Sequence, residues 1–334
     1  SGGGAAAAGS PVAVSDGAGS GTGGFGGAKA GGRGSLFEGG GGGGGAAAEE
    51  GSSGFCAFGV FDGHGGKAAP TYASKHLLPL VADYLERSRA EPPATQALPE
   101  GAANALGVTA AQVARWAAQE GMAERLPAAM HAAFCEADEA VLKRCPKSGT
   151  TATLAVAVGW TLVVASVGDS MAFLDTGSEV IQVSGNHRVG EMPEELDRVT
   201  CAGGHIAQSD IDGVAGGPDR VWPGGLMMTR TIGDAGCDGL CIPEPEIRMV
   251  ALPPGGARLV IASDGLWDAV QAKTLLASMR RMPAGQAANI AVHQAIKKKG
   301  LTDDITVVVV DFCSSASERV PGAVEAAAGG GGAR

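Results

Sequence analysis

Phe58-Gly59-Val60-Phe61-Asp62-Gly63-His64-Gly65-Gly66 is the stretch from which the fold can be read. Its apolar half reads as a buried strand. It ends abruptly in an acid, a histidine and three glycines. The strand fixes the backbone in a core, and the turn then sets a carboxylate, an open carbonyl and an imidazole close together. Glycines let the chain turn sharply and leave room for a ligand to approach the backbone. Aspartate is a hard oxygen donor of the kind Mg²⁺ and Mn²⁺ prefer. Read alone, the stretch is equally a Gly-rich turn whose Asp caps the next helix. The rest of the chain decides between the two.

The chain has 334 residues and 56 glycines, unevenly spread. Residues 1–54 are mostly Gly, Ala and Ser, with an unbroken glycine run from Gly39 to Gly45, and residues 314–334 end in a similar tail. Such segments bury too little apolar surface to offset their ordering entropy and are expected to be flexible. Residues 55–313 form the expected folded domain, long enough for a sizeable core. The chain opens on Ser1, so its natural N-terminus is expected to lie upstream.

A formal net charge of -10 argues against a nucleic-acid partner, because phosphate backbones attract basic faces. The basic run Lys297-Lys298-Lys299 is expected at a helix end, where lysines suit the dipole. The seven cysteines are scattered without a CxxC pair, which fits reduced thiols in a cytoplasmic or nuclear setting. The sequence has no apolar run long enough to span a membrane and no signal peptide, though it is compatible with a transit peptide already removed.

Taken in order, the pattern predicts a strand over 55–61 and a helix from Lys67 to about Glu86. A loop is expected over 88–107. Helical spacing then runs from Thr109 to Lys143, divided in two by Pro127. Runs Thr151–Val158 and Trp160–Val167 read as a hairpin about Gly159, and the second delivers Gly168-Asp169. A further strand follows at Met171–Leu174. His187 and Arg188 fall in a polar loop. Pro193–Cys201 reads as a short helix with Gly203-Gly204 after its end. Residues 205–225 look irregular. Leu226–Asp234 reads as a buried helix pairing Arg230 with Asp234. Strands are expected at Glu246–Leu252, Arg258–Ser263 and Ile305–Asp311, with helices at Leu266–Met282 and Ala284–Lys299 between the last two.

Four acids stand beside these strand ends: Asp62, Asp169, Asp264 and Asp303, with Asp268 one helical turn after Asp264. A charge beside a core is costly unless it is paired or binds metal. If the strands are neighbours, the acids converge and repel one another, and a divalent cation resolves the repulsion. Carboxylates without cysteine select Mg²⁺ or Mn²⁺ over zinc. A pair of such ions suits phosphate-ester hydrolysis.

The motifs FGVFDGHGG (58–66), SGTTA (148–152), VGDS (167–170), TRTIGD (229–234), IASDGLWD (261–268) and DDIT (303–306) occur in the order of the protein phosphatase 2C family, the metal-dependent Ser/Thr phosphatases, which the chain resembles over about 55–313. The segment Pro193–Gly204 resembles the flap of plant-type members. The resemblance implies an α+β fold, a four-layer α/β/β/α sandwich of two antiparallel sheets flanked by helices, with the metal centre at one end. It implies two Mg²⁺ or Mn²⁺ ions, with Asp62 bridging them, the Gly63 carbonyl on one, and Asp264 and Asp303 completing the first site. A third, weaker ion would fall to Asp169 and Asp268. His64 would be the general acid. The implied reaction is hydrolysis of phosphoserine and phosphothreonine in proteins by a metal-bridging hydroxide, with no phosphoenzyme, by a monomer.

The family's early strand carries an Arg and, about four residues on, a Glu that ligates the second metal. Here Arg33 matches the phosphate-binding Arg, but Phe37 holds the Glu position and Glu38 comes one residue late. A one-residue shift turns a strand side chain to the other face, so Glu38 serves only if a bulge takes up the extra residue. Asp304 stands where many members carry Asn. A catalytically weakened member acting as a regulatory binding module, and a phosphatase of small phosphate esters, are the alternative readings.

Overall fold

The structure is a computed structural model that describes residues 6–7, 12–15, 31–39, 55–88, 110–211, 214–300 and 302–313. The expected tail 314–334, and the expected loop except for Ser88, lie outside these residues. Three short segments of the glycine-rich start are strands: β1 (Ala6–Ala7), β2 (Val12–Ser15) and β3 (Gly31–Gly39).

The quoted stretch lies in β4 (Phe55–His64), followed by helix α1 (Ala68–Arg87). Helix α2 (Ala110–Arg144) comes next and runs unbroken through Pro127, where a division was expected. A proline removes one N–H from the ladder. The flanking turns bury Leu126, Ala129, Met130, Ala133 and Phe134, and that packing holds the helix across the gap.

Strands β5 (Gly149–Thr150), β6 (Ala152–Val158) and β7 (Thr161–Val167) follow, then β8 (Met171–Asp175) and β9 (Val180–Gln182). The remaining elements are α3 (Pro193–Cys201), β10 (His205–Ile211), β11 (Val214–Trp222), β12 (Ile232–Gly233), β13 (Glu246–Ala251), β14 (Ala257–Ala262), α4 (Asp264–Trp267), α5 (Ala272–Met279), α6 (Ala284–Lys299) and β15 (Thr306–Cys313).

Two antiparallel sheets result. One runs β12-β5-β4-β6-β7-β13, with β3 also on β4; the other runs β1-β15-β14-β8-β9, with β2 also on β15. The alternation of β4 shows how they stack. Ala57 and Phe61 face the core under α1 and α2, while Phe58 and Val60 face the second sheet. Across that interface Phe58 meets Phe312 edge-on, with ring centroids 6.5 Å apart. Helices α5 and α6 cover the outer face of the second sheet, over Val260, Val307 and Val309. The four-layer α/β/β/α sandwich is therefore present.

Two expectations fail beside it. Where irregular chain was expected over 205–225, β10 and β11 pair antiparallel, with a register shift at Gln208/Ser209. Their Gly, Asp and Pro content hid the alternation that buries Val221 against Val199, Cys237, Leu240 and Cys241. Residues 226–233 run as bridges and bends into β12 rather than as a helix, and Asp234 after them is left-handed. Thr231 N–H donates to the Ile242 carbonyl, and Ile242 N–H donates to that of Thr229, so the backbone pairs across the chain instead of along a helix.

Candidate metal centre

Strand register gathers the acids at one end of the sandwich. Ala262, at the end of β14, pairs with Met171 at the start of β8 and with Val307 near the start of β15. Asp264, Asp169 and Asp303 sit just beyond those pairs. Asp62 lies near the end of β4 on the parity of Phe58 and Val60, which face the space between the sheets.

The SGTT motif holds the turn from behind. Thr151 N–H and Thr150 Oγ1 donate to the Asp62 carbonyl at 2.8 and 3.0 Å, and Asp62 N–H donates to Thr151 Oγ1 at 3.1 Å. Ser148 Oγ donates to the Gly66 carbonyl at 3.1 Å and accepts the N–H of Ala69. Gly65 has φ +65, and a Cβ there would lie 2.2 Å from the Lys147 carbonyl, so the turn demands glycine. Ser263 does the same work across the site, accepting the Thr306 N–H and donating to the Asp304 carbonyl.

The backbone of the site is fixed while two of its carboxylate oxygens are left without a hydrogen bond. Asp62 Oδ1 and Asp169 Oδ2 are sealed from solvent with no hydrogen bond. Burial raises the Asp62 pKa to about 8, helped by the charges of Asp264, Asp303, Asp169 and Asp304. Burial likewise raises Asp264 to about 7, with Asp169 and Asp303 adding and Arg188 opposing. Asp169, 2% exposed, is also pushed upward, mainly by burial.

Arg188, in the polar loop before α3, is the cation at this end of the sandwich. Its guanidinium bonds Asp268, with Nη2 3.2 Å from Oδ2, and lies 3.6 Å from Asp264 and 3.9 Å from Asp169. Its neighbour His187 is fully buried, and burial lowers its pKa to about 4. Arg188 alone cannot neutralise the cluster, as the raised carboxyl pKa values of Asp62 and Asp264 show.

His64 lies beside Asp62, and its Nε2 is 2.8 Å from both carboxylate oxygens of Asp234. The expected Arg230–Asp234 pair is absent because the segment is not a helix. Arg230 instead bonds Glu195 at 2.7 Å. No periodic signal links His64 with Asp234, which are 170 residues apart.

For Arg33 and Glu38 the backbone register is decisive. Gly32 pairs with Asp62, Arg33 with Phe61 and Glu38 with Cys56. The pairing runs from Gly31 to Gly39 without a shift, so the bulge that would return Glu38 to the turn does not form. Glu38 stands about 20 Å along the strand from the position opposite Asp62.

The donors at the site are carboxylates and a carbonyl, the chemistry of Mg²⁺ or Mn²⁺. The orphaned Asp62 and Asp169 oxygens and the raised Asp62 and Asp264 pKa values fit a missing positive charge. Among the described residues no three Asp, Glu, His or Cys converge tightly enough to form a ready ligand set.

The fold is thus a two-sheet sandwich that gathers Asp62, Asp169, Asp264 and Asp303 at one end. Comparison identifies the family: the protein phosphatase 2C family profile matches residues 42–304, and the chain belongs to that family. Among relatives, it is 38% identical over 266 residues to probable protein phosphatase 2C 5 of Arabidopsis thaliana, covering 79% of this chain and 56% of that protein. It is 39% identical over 272 residues to probable protein phosphatase 2C 33 of Oryza sativa subsp. japonica, covering 81% and 56%. The chain thus spans about half the length of these relatives. Among solved structures, serine-threonine phosphatase 2C from Toxoplasma gondii superposes with a TM-score of 0.60 at 20% identity, covering 77% of this chain and 85% of that one. The likeness extends to the fold. The family match begins after Arg33 and Glu38.

Proposed function

We propose that this chain is a Mg²⁺- or Mn²⁺-dependent protein serine/threonine phosphatase. One observation carries the reading: Asp62, its Oδ1 buried and unpaired, is driven to a pKa of about 8 among Asp264, Asp303 and Asp169. Family membership gives that cluster its chemistry. Asp62 would be shared between two ions, with the Gly63 carbonyl on one and Asp264 and Asp303 on the first. Asp169 and Asp268 would hold a third, weaker ion once Arg188 yields Asp268. Bound divalent ions neutralise phosphoryl oxygens and lower the pKa of a coordinated water.

The chain's own groups do the rest. Thr150, Thr151 and Ser148 keep the turn rigid, so Asp62 does not collapse onto Asp264. His64 gives a proton to the departing serine or threonine oxygen. Arg33, whose backbone is adjacent in register to the partner of Asp62, is our candidate for the substrate phosphate. The substrates are phosphorylated proteins, and the chain acts as a monomer without nucleic acid. Its cysteines are all free and none of its described helices could cross a membrane, which supports a cytoplasmic or nuclear setting.

The register of Glu38 favours a second reading, a weakened member serving as a regulatory binding module. Mn²⁺-dependent hydrolysis of a phosphothreonine peptide separates the two. The intact chain should turn the peptide over, and Asp264→Asn should lose at least about 100-fold in kcat/KM. An intact chain inert at saturating Mn²⁺ would leave the binding-module reading standing.

A further inference from the structure

Asp234 has one side-chain partner among the described residues, and it is His64. The meeting is built by strand register. His64 of β4 pairs with Gly149 of β5, and Gly149 pairs with Gly233 of β12, so the residue after Gly233 arrives across Gly149 from the histidine. Gly149 leaves the passage open: a Cβ there would lie 2.0 Å from Asp234 Oδ2.

Asp234 itself sits in the left-handed region, φ 64 and ψ 54, a conformation that non-glycine residues seldom adopt. The surroundings hold it there. Gly233 N–H donates to Asp138 Oδ1 at 2.6 Å, and the Asp234 carbonyl accepts the Cys237 N–H at 2.9 Å. The Asp234 side chain is 9% exposed and that of His64 is 24% exposed, so the pair forms a shielded contact with an open outer edge.

We propose that Asp234 is the positioning residue for His64: its carboxylate accepts the Nε2–H and leaves Nδ1 as the nitrogen that serves the leaving group. The proposal rests on the phosphatase reading, in which His64 is the general acid. A carboxylate can only accept here, so Nε2 must be the donor, and the ring is fixed in one orientation. As the P–O bond to the serine or threonine oxygen breaks, its electron pair goes to that oxygen, which takes the Nδ1 proton. The ring is left neutral, with Nε2–H still donated to Asp234, and regains a proton from solvent.

Asp234→Asn tests this, since Asn is tolerated in the left-handed region and keeps the side-chain shape. Two substrates are compared in Mn²⁺, a phosphothreonine peptide and p-nitrophenyl phosphate, whose phenolate leaves without protonation. The variant should lose about 10- to 100-fold in kcat on the peptide with little change in KM, and under about 3-fold on p-nitrophenyl phosphate. Equal losses on both substrates, or no loss on the peptide, would overturn the positioning role. A wild-type chain inert on both would instead count against the phosphatase reading. A second readout works without activity. Long-range ¹H–¹⁵N spectra of the metal-free chain should show neutral His64 protonated at Nε2, and the Nδ1-protonated tautomer would contradict the proposal.

Discussion

Asp62 and Glu195 are both acids withdrawn from water, and the protein treats them in opposite ways. Glu195 is 4% exposed in α3, and burial by itself would raise its pKa; hydrogen bonds from Arg230 and Arg198 outweigh that and bring it down to about 2. Arg230 reaches Oε1 at 2.7 Å and Arg198 reaches Oε2 at 3.0 Å. Burial raises Asp62 to about 8, and its neighbours, being other acids, add to the rise instead of opposing it. Buried Asp175 is also given an arginine, with Arg280 Nε 2.9 Å from its Oδ2. Burial acts on Asp62 and Glu195 alike, and the partners decide the outcome. At the end of the sandwich Arg188 reaches Asp268, Asp264 and Asp169, yet Asp62 Oδ1 keeps no partner, and that is where the proposed divalent cation would act.

Removing the partnered acid should cost most in stability. Glu195→Ala strands two arginines in a half-buried setting, and chemical denaturation should show a loss of about 3 kcal/mol. A change within about 0.5 kcal/mol would mean the pairing is a surface decoration, and the contrast would dissolve.

The acid cluster should appear in the pH dependence of the metal-free chain. A carboxyl raised in the folded state gives stability that is present below its unfolded pKa of 3.8 and is lost as pH rises through about 7 for Asp264 and about 8 for Asp62. Buried His187 has the opposite sign. Its stability is full above 6.5 and is lost as pH falls through about 4. Between pH 6.5 and about 8 the acids therefore act alone, and Tm should fall as pH rises. Asp62→Asn should flatten that slope, and the variant should melt a few degrees higher at about pH 8, at about 2–4 °C for each kcal/mol relieved. A slope unchanged by the substitution would place the repulsion elsewhere.

Much of this was legible in the sequence, for a physical reason. Central strands such as Ala152–Val158 and Thr306–Cys313 are buried on both faces, so they stand out as apolar runs, and an acid at the end of such a run is conspicuous. That made Asp62, Asp169, Asp264 and Asp303 visible one by one. Pro193–Cys201 was readable for its N-terminal proline and the glycines beyond it. The β10–β11 hairpin was not, because glycines, aspartates and a proline mask its alternation. Pro127 misled because tertiary packing overrode a local rule. Arg188 and Asp234 were missed as site residues for a different reason. Their partners, Asp268 and His64, lie 80 and 170 residues away, and only the tertiary fold brings them together. Glu38 also turned on register, since the sequence posed the question of a bulge and the β3–β4 pairing answers it.

The central claim is that the acids at the end of the sandwich await a divalent cation. Calorimetric titration of the metal-free chain with Mn²⁺ at pH 7, in two buffers of different ionisation enthalpy, tests it most directly. With Asp62 near 8 and Asp264 near 7, binding should release protons, and Asp62→Asn should bind more weakly and release fewer. Binding without proton release, or release unchanged by Asp62→Asn, would contradict the account.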